Sequence, residues 1–357
     1  MTGRGLAHIS ALFCHSAEPP SEPRNMKRVV IGICLALVIV ATANLFPGRA
    51  QEASVPMPQP PANPAAANPL KVALLKWYKA NTTTRFAVGQ QPVGVAFDGA
   101  NIWAANFGDV PGTVTKLQAS DGEVLGTFRV GTQPVGVTYD GANIWVSNTV
   151  DGTVSKLRAS DGKNLGTFSA GPFPWWMAFD GANIWVPTAP TSGNGAVIKL
   201  RASDGKNLGS FPVGNSPIAA AFDGANLWVA NAADGTVSKL RVSDGKALGT
   251  FTVGSRPLGI AFDGTNMWVA NRYSATVSKL RASDGKTLGT FTVPLGPYCV
   301  AFDGTNIWVT TSLAVTELNA DGTILGYVNT QTPTAGMAFD GANLWVSEFD
   351  INVVHKL

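Results

Sequence analysis

The groups that could do chemistry on this chain are few. After residue 50 the sequence holds one histidine, His355, and one cysteine, Cys299. A thiolate nucleophile needs a neighbouring cation or base, and no His, Lys or Arg adjoins Cys299, which therefore reads as a buried thiol. His355 stands where equivalent segments carry Ser, as at Ser238, and reads as structural. Aspartate recurs at Asp98, Asp140, Asp180, Asp223, Asp263, Asp303 and Asp340, always before Gly. A group present in every copy is a turn former rather than a unique base. Glu348, Asp350 and Asp109 show no metal-ligand spacing, and no Gly-rich phosphate loop joins a strand to a helix. These readings weigh against an enzyme, and no metal or cofactor is expected.

Recognition is the chemistry that remains. Phe173, Trp175 and Trp176 crowd one short stretch, and Arg256, Arg272, Tyr273 and Tyr298 fall at comparable places further on. Aromatic faces beside guanidinium groups make an aromatic, weakly cationic ligand pocket. The competing reading is that Trp175 and Trp176 only plug a channel mouth. The partner expected is a small molecule, a glycan or a protein.

The elements that must position these residues are repeats. The segment Phe97-Asp98-Gly99-Ala100-Asn101-Ile102-Trp103 recurs with small changes, and its tryptophans are Trp103, Trp145, Trp185, Trp228, Trp268, Trp308 and Trp345. They are spaced by 42, 40, 43, 40, 40 and 37 residues. A period near 40 with strand-like segments marks propeller blades. In the fourth copy, strands a to d are expected at 218–222, 226–230, 236–241 and 248–253. Asp-Gly turns join a to b and c to d, because both turn positions tolerate positive φ. Strand a is apolar on both faces, as in Leu258-Gly259-Ile260-Ala261-Phe262, which fits blades stacked face to face. The repeated tryptophans read as core. Burying rings of about 200 Å² each far outweighs what a ligand could contribute.

The fold expected is all-β, a seven-bladed β-propeller of four-stranded antiparallel blades over 83–357. The chain finishes on strand c of the last blade. Thr83-Thr84-Arg85-Phe86-Ala87-Val88 matches strand d of other repeats, so an N-terminal strand should complete that blade and remove two exposed edges. Loop length separates the faces. From the repeated Trp to the strand c Leu the counts are 14, 12, 15, 12, 12, 10 and 12 residues. The face made by the d–a and b–c loops thus varies, while the hairpin face is nearly uniform. The candidate residues all fall on the varying face.

With these residues in hand, Trp228-Val229-Ala230-Asn231, Asp234-Gly235-Thr236-Val237-Ser238-Lys239-Leu240 and Val253-Gly254-Ser255-Arg256-Pro257 resemble the YVTN-type propeller repeat, with Trp replacing its usual Tyr. The resemblance covers 83–357. The same superfamily includes virginiamycin B lyase, lactonases and NHL-type binding propellers. It implies a seven-bladed ring, usually extracytoplasmic, with a ligand site on one face, and it does not imply a reaction. The alternative function under it is a metal-dependent lyase or lactonase.

Composition sets the remaining bounds. The chain of 357 residues is 45% hydrophobic and 14% charged, with net charge +3. That excess lies in the first 50 residues, where Arg4, Arg24, Lys27, Arg28 and Arg49 face only Glu18 and Glu22. The rest is balanced, which excludes nucleic acid as a partner. Residues 1–50 read as an export signal: Lys27 and Arg28 precede an apolar run, and Gly48 and Ala50 suit cleavage before Gln51. Met26 is an alternative start, and a membrane tether through 29–46 is the alternative to cleavage. The protein is expected to be exported, periplasmic or extracellular, and monomeric. Residues 51–69 form a Pro/Ala-rich linker, and 70–81 a short helix with Leu70, Ala73, Leu74, Trp77 and Tyr78 on one face.

Overall fold

The forty-residue repeats fold into seven four-stranded antiparallel sheets in a computed structural model. It describes residues 84–357 except Ser192, Leu295 and Gln331. The export signal, the linker, the helix over 70–81 and Thr83 lie outside the described residues. The strands of blade 4 are Pro217–Phe222, Asn226–Asn231, Thr236–Arg241 and Ala247–Thr252, here called a to d. The a strands pack against one another in chain order, and that of blade 1 also packs against that of blade 7, so the sheets close a ring. Crowding at the axis explains the small residues there. A Cβ on Gly136 would lie 2.7 Å from the Trp175 carbonyl oxygen, and one on Gly259 2.6 Å from that of Tyr298. Both contacts reach the next blade and leave no room for a side chain.

Six of the repeated tryptophans are fully buried: Trp103, Trp145, Trp185, Trp228, Trp268 and Trp345. Each buried indole still needs an acceptor for its N–H. The hairpin aspartate supplies it. Trp228 Nε1 donates to Asp223 Oδ2 at 2.7 Å, and the same bond recurs in every blade at 2.7–2.8 Å. The other oxygen, Asp223 Oδ1, accepts the backbone N–H groups of Ala225 and Asn226. The repeated aspartates therefore fix the turn and satisfy the core together. Burial pushes Asp180, Asp223, Asp263 and Asp340 up, but these donors outweigh it and hold the carboxyls below their ordinary value. Asp223→Ala should cost about 1–3 kcal/mol, the penalty for an unsatisfied buried donor. That corresponds to a melting shift of roughly 2–6 °C in a domain of this size, measurable by calorimetry. A shift under about 1 °C would show that the bond contributes nothing net.

A second device ties blade to blade. Lys156 Nζ lies 5.1 Å from the Trp145 ring centroid and donates to the carbonyls of Ala202 and Ser203 in the next blade at 2.6 and 3.1 Å. Lys116, Lys199, Lys239, Lys279 and Lys356 repeat the arrangement. The ammonium gains a π face and carbonyl acceptors while its stem covers apolar surface. Blade 6 departs: Glu317 occupies the Lys position, Val328 stands where other blades place a Phe against the Trp, and Trp308 is only half-buried.

Blade 7 draws its strand d from the start of the described chain. Arg85–Ala87 pairs antiparallel with strand c, Val353–Lys356, through Arg85↔His355, Phe86↔Val354 and Ala87↔Val353. Phe86 packs on Trp345 at 5.6 Å, much as Phe128 packs on Trp103 at 5.5 Å in blade 1. His355 accordingly lies between two strands rather than at a sheet edge. Strand a is shorter than the repeat suggests in two blades, reduced to Ala178–Phe179 in blade 3 and Val300–Phe302 in blade 6.

Candidate functional site

The varying face is built on a constant backbone. The residue before the strand a proline takes a left-handed conformation: Gln91 at φ 51°, Gln133 at 53°, Phe173 at 46°, Ser216 at 55° and Arg256 at 54°. A non-glycine residue there costs about 1 kcal/mol, and the repeated use of it shows a loop determined by its surroundings. The carbonyl of that residue accepts the N–H of the fourth residue after the repeated Trp. The pairs are Phe107 with Gln91, Thr149 with Gln133, Ala232 with Ser216 and Arg272 with Arg256, at 2.9–3.1 Å. Each pair presents two side chains on the same frame, and among these four only blade 5 fills both places with arginine.

Blade 3 alters the frame itself. Trp176 takes the position that Gly94, Gly136 and Gly259 hold in other blades, where a Cβ would meet the next blade's backbone, and that only the small Ala219 and Cys299 fill in blades 4 and 6. The backbone shifts instead. Trp176 N–H donates to the Ile218 carbonyl at 3.0 Å, and Ala220 N–H to the Trp176 carbonyl at 3.1 Å, a parallel bridge to blade 4. Trp175 N–H donates to the Pro187 carbonyl within its own blade at 3.0 Å. This rearrangement is why strand a is cut to two residues here.

The rings then meet. Trp175 and Trp176 lie 5.7 Å apart between centroids, and Trp176 meets Tyr298 edge-on at 6.0 Å and 80°. Tyr298 belongs to blade 6, so this contact joins blades that are not neighbours in the ring. Arg272 stacks over Tyr298 at 4.7 Å, and Arg256 over Tyr273 at 5.0 Å. Trp175 is buried, whereas Trp176, Tyr298, Arg256 and Arg272 are half-buried and Tyr273 is 56% exposed. Blades 3, 5 and 6 thus bring Trp175, Trp176, Tyr298 and Arg272 into one continuous run, with Arg256 and Tyr273 beside it. Phe173 makes none of these ring contacts. Burial, partly offset by Tyr273 and Tyr298, holds the Arg256 guanidinium below its ordinary value, and the Arg272 charge adds to that. Arg256 and Arg272 feel each other, and cationic groups brought together favour an anion.

Other titratable groups on the domain are differently engaged. Burial pushes the Cys299 thiol up to about 11, which favours the protonated thiol at neutral pH. Asp109 accepts Gln90 N–H at 2.8 Å and closes a loop, as Asp151 does with Thr132. Glu348 is fully buried. Its Oε1 accepts from Arg85 Nε at 2.9 Å and lies 2.8 Å from His355 Nδ1, while His355 Nε2 lies 3.1 Å from Thr84 Oγ1. In blade 4 the same two places hold Asn231 and Ser238, hydrogen-bonded at 2.9 Å. Glu348 and His355 therefore place a carboxylate and an imidazole where blade 4 has a neutral pair, and Arg85 ties the carboxylate to the strand that completes the blade. Sequence reading missed this cluster, although two departures from the repeat within one blade were a visible signal. Among the described residues no three His, Cys, Asp or Glu side chains gather as metal ligands would.

A seven-bladed propeller bearing an aromatic and cationic patch on its varying face is the class of protein so defined. No family model matches the chain, and no curated protein matches it. Solved structures do match in fold. Hydrazine synthase from Kuenenia stuttgartiensis aligns with a TM-score of 0.67 at 16% identity, over 76% of this chain and 97% of that one. A streptogramin B lyase structure aligns with a TM-score of 0.65 at 17% identity, over 76% of this chain and 96% of that one. At such identity the likeness concerns architecture alone.

Proposed function

We propose that this protein is a binding propeller, exported from the cell, whose ligand seats on the face of the d–a and b–c loops. The binding residues are Trp176, Tyr298, Arg272, Arg256 and Tyr273, with Trp175 against Trp176 and Phe173 on the same loop of blade 3. One observation carries the reading. Residues that break the repeat, scattered from 175 to 298, meet in one run of ring contacts from blade 3 to blade 6. Positions that serve only the ring repeat in every blade; these do not. Half-buried aromatic rings with cations beside them suit a small molecule with a flat face. Ligand-observed NMR against a library of aromatic fragments tests the proposal. Binders should lose at least tenfold in affinity with Trp176→Ala, a variant that also gives up packing against Ala219, Trp228 and Ile260 and should melt at a lower temperature while keeping the β-sheet circular dichroism of the parent. Undiminished binding by the variant would refute the assignment.

A further inference from the structure

The arginines say more about the ligand than the aromatic rings do. Arg158, Arg201, Arg241 and Arg281, on the outer part of the blades, each pair with the aspartate three residues on, at 2.6–3.1 Å. Arg85 pairs with Glu348. Arg129 is unpaired among the described residues but exposed to solvent. Arg256 and Arg272 differ from all of these. Among the described residues neither guanidinium has a carboxylate partner, and each has its central carbon over a tyrosine ring instead, at 5.0 and 4.7 Å from the centroid. Both are half-buried. A tyrosine ring accepts no N–H in the manner of a carboxylate, so the guanidinium donors keep their capacity for an oxygen acceptor. The backbone bond from Arg272 N–H to the Arg256 carbonyl, 3.0 Å, keeps the two side chains on one frame.

Two positive groups held together, partly desolvated and without a counter-charge are unfavourable alone and favourable once an anion arrives. Beside them stands the edge-to-face Trp176–Tyr298 pair, whose half-buried rings offer apolar area to an aromatic body. Resting on the binding reading above, we infer that the site takes a small aromatic anion, its carboxylate or sulfonate held by Arg256 and Arg272 and its ring placed against Trp176 and Tyr298. The arginine fork matches a two-oxygen head, and the indole supplies apolar area without adding charge.

The pair 2-naphthoate and 2-naphthamide tests this, because they share a ring system and differ in charge. Isothermal titration with the full-length chain should show naphthoate binding at least tenfold more tightly, the size of one charge-assisted hydrogen bond. The preference should shrink as salt is raised. In the double variant Arg256→Gln/Arg272→Gln it should fall to about twofold or less, with cooperative unfolding retained in a thermal melt. Trp176→Ala should weaken both probes together. Equal binding of the two probes by the wild type, or a preference that survives the double variant, overturns the anion inference and leaves the aromatic site standing. Absence of binding by either probe at millimolar concentration overturns both.

Discussion

Deletion of residues 83–88 should abolish cooperative folding or drive the protein into aggregates. Three losses coincide. Phe86, packed on Trp345 and beside Val354, disappears from the interior of blade 7. Removal of a buried Phe side chain typically costs about 3–5 kcal/mol. Arg85 goes with it and leaves Glu348 short of a partner in a buried position. Strand c of blade 7 also gains a bare edge, open to pairing with another chain. The sum approaches the whole stability of an ordinary domain, about 5–15 kcal/mol. Size-exclusion chromatography and a thermal melt suffice as the readout. A deletion variant that elutes and melts like the parent would show that the pairing of Arg85–Ala87 with Val353–His355 contributes nothing to the ring.

Glu348→Gln is expected to have the next largest effect, a loss of about 3 kcal/mol at neutral pH. Breaking a buried charged cluster by neutralising one member typically costs about 3–5 kcal/mol. The lower end applies because Arg85 keeps some solvent contact. In melting temperature this is roughly 6 °C. The pH dependence is more diagnostic. Burial raises the Glu348 carboxyl, but His355 and then Arg85 outweigh it, so the folded group titrates below its ordinary value. A carboxyl depressed in the folded state stabilises the protein above its unfolded pKa, about 4.3. That contribution is lost as pH falls through the lower, folded value. The wild type should therefore lose stability between pH 5 and the acid limit more steeply than Glu348→Gln does. Denaturant melts across that window compare the slopes. Parallel curves for the two proteins would show that the cluster carries no linked proton.

The repeat made much of this legible without coordinates. Blade number and strand order followed from the tryptophan spacing, because each period is one sheet that must bury both faces. The two-faced design followed from where the copies agree and disagree. What lay out of reach depends on curvature. The Asp223–Trp228 bond joins residues five apart, yet nothing in a linear pattern says that an indole turns back to its own hairpin. The Lys156 contact with Ala202 and Ser203 crosses to the next blade and exists only once the sheets stand around an axis. Arg85 and Glu348 are 263 residues apart. At the candidate site, the run Pro174-Trp175-Trp176 signalled a departure, but strand propensity suggested a full strand a. Glycine or alanine keeps a full strand there in blades 1, 2, 4, 5 and 7; an indole at that position does not fit, and the strand is cut short. Tyr298 was marked as an unusual residue; its meeting with Trp176 across the ring was not foreseeable from sequence.

The central claim is that departures from the internal repeat, gathered at Trp176, Tyr298, Arg272 and Arg256, are the ligand site. Crystals of the protein soaked with a fragment library test it most directly, since density reports position whatever the natural ligand is. The account predicts that fragments concentrate against Trp176 and Tyr298 within reach of the two arginines. Fragments settling instead on the uniform face of Asp-Gly hairpins, with the varying face bare, would contradict it.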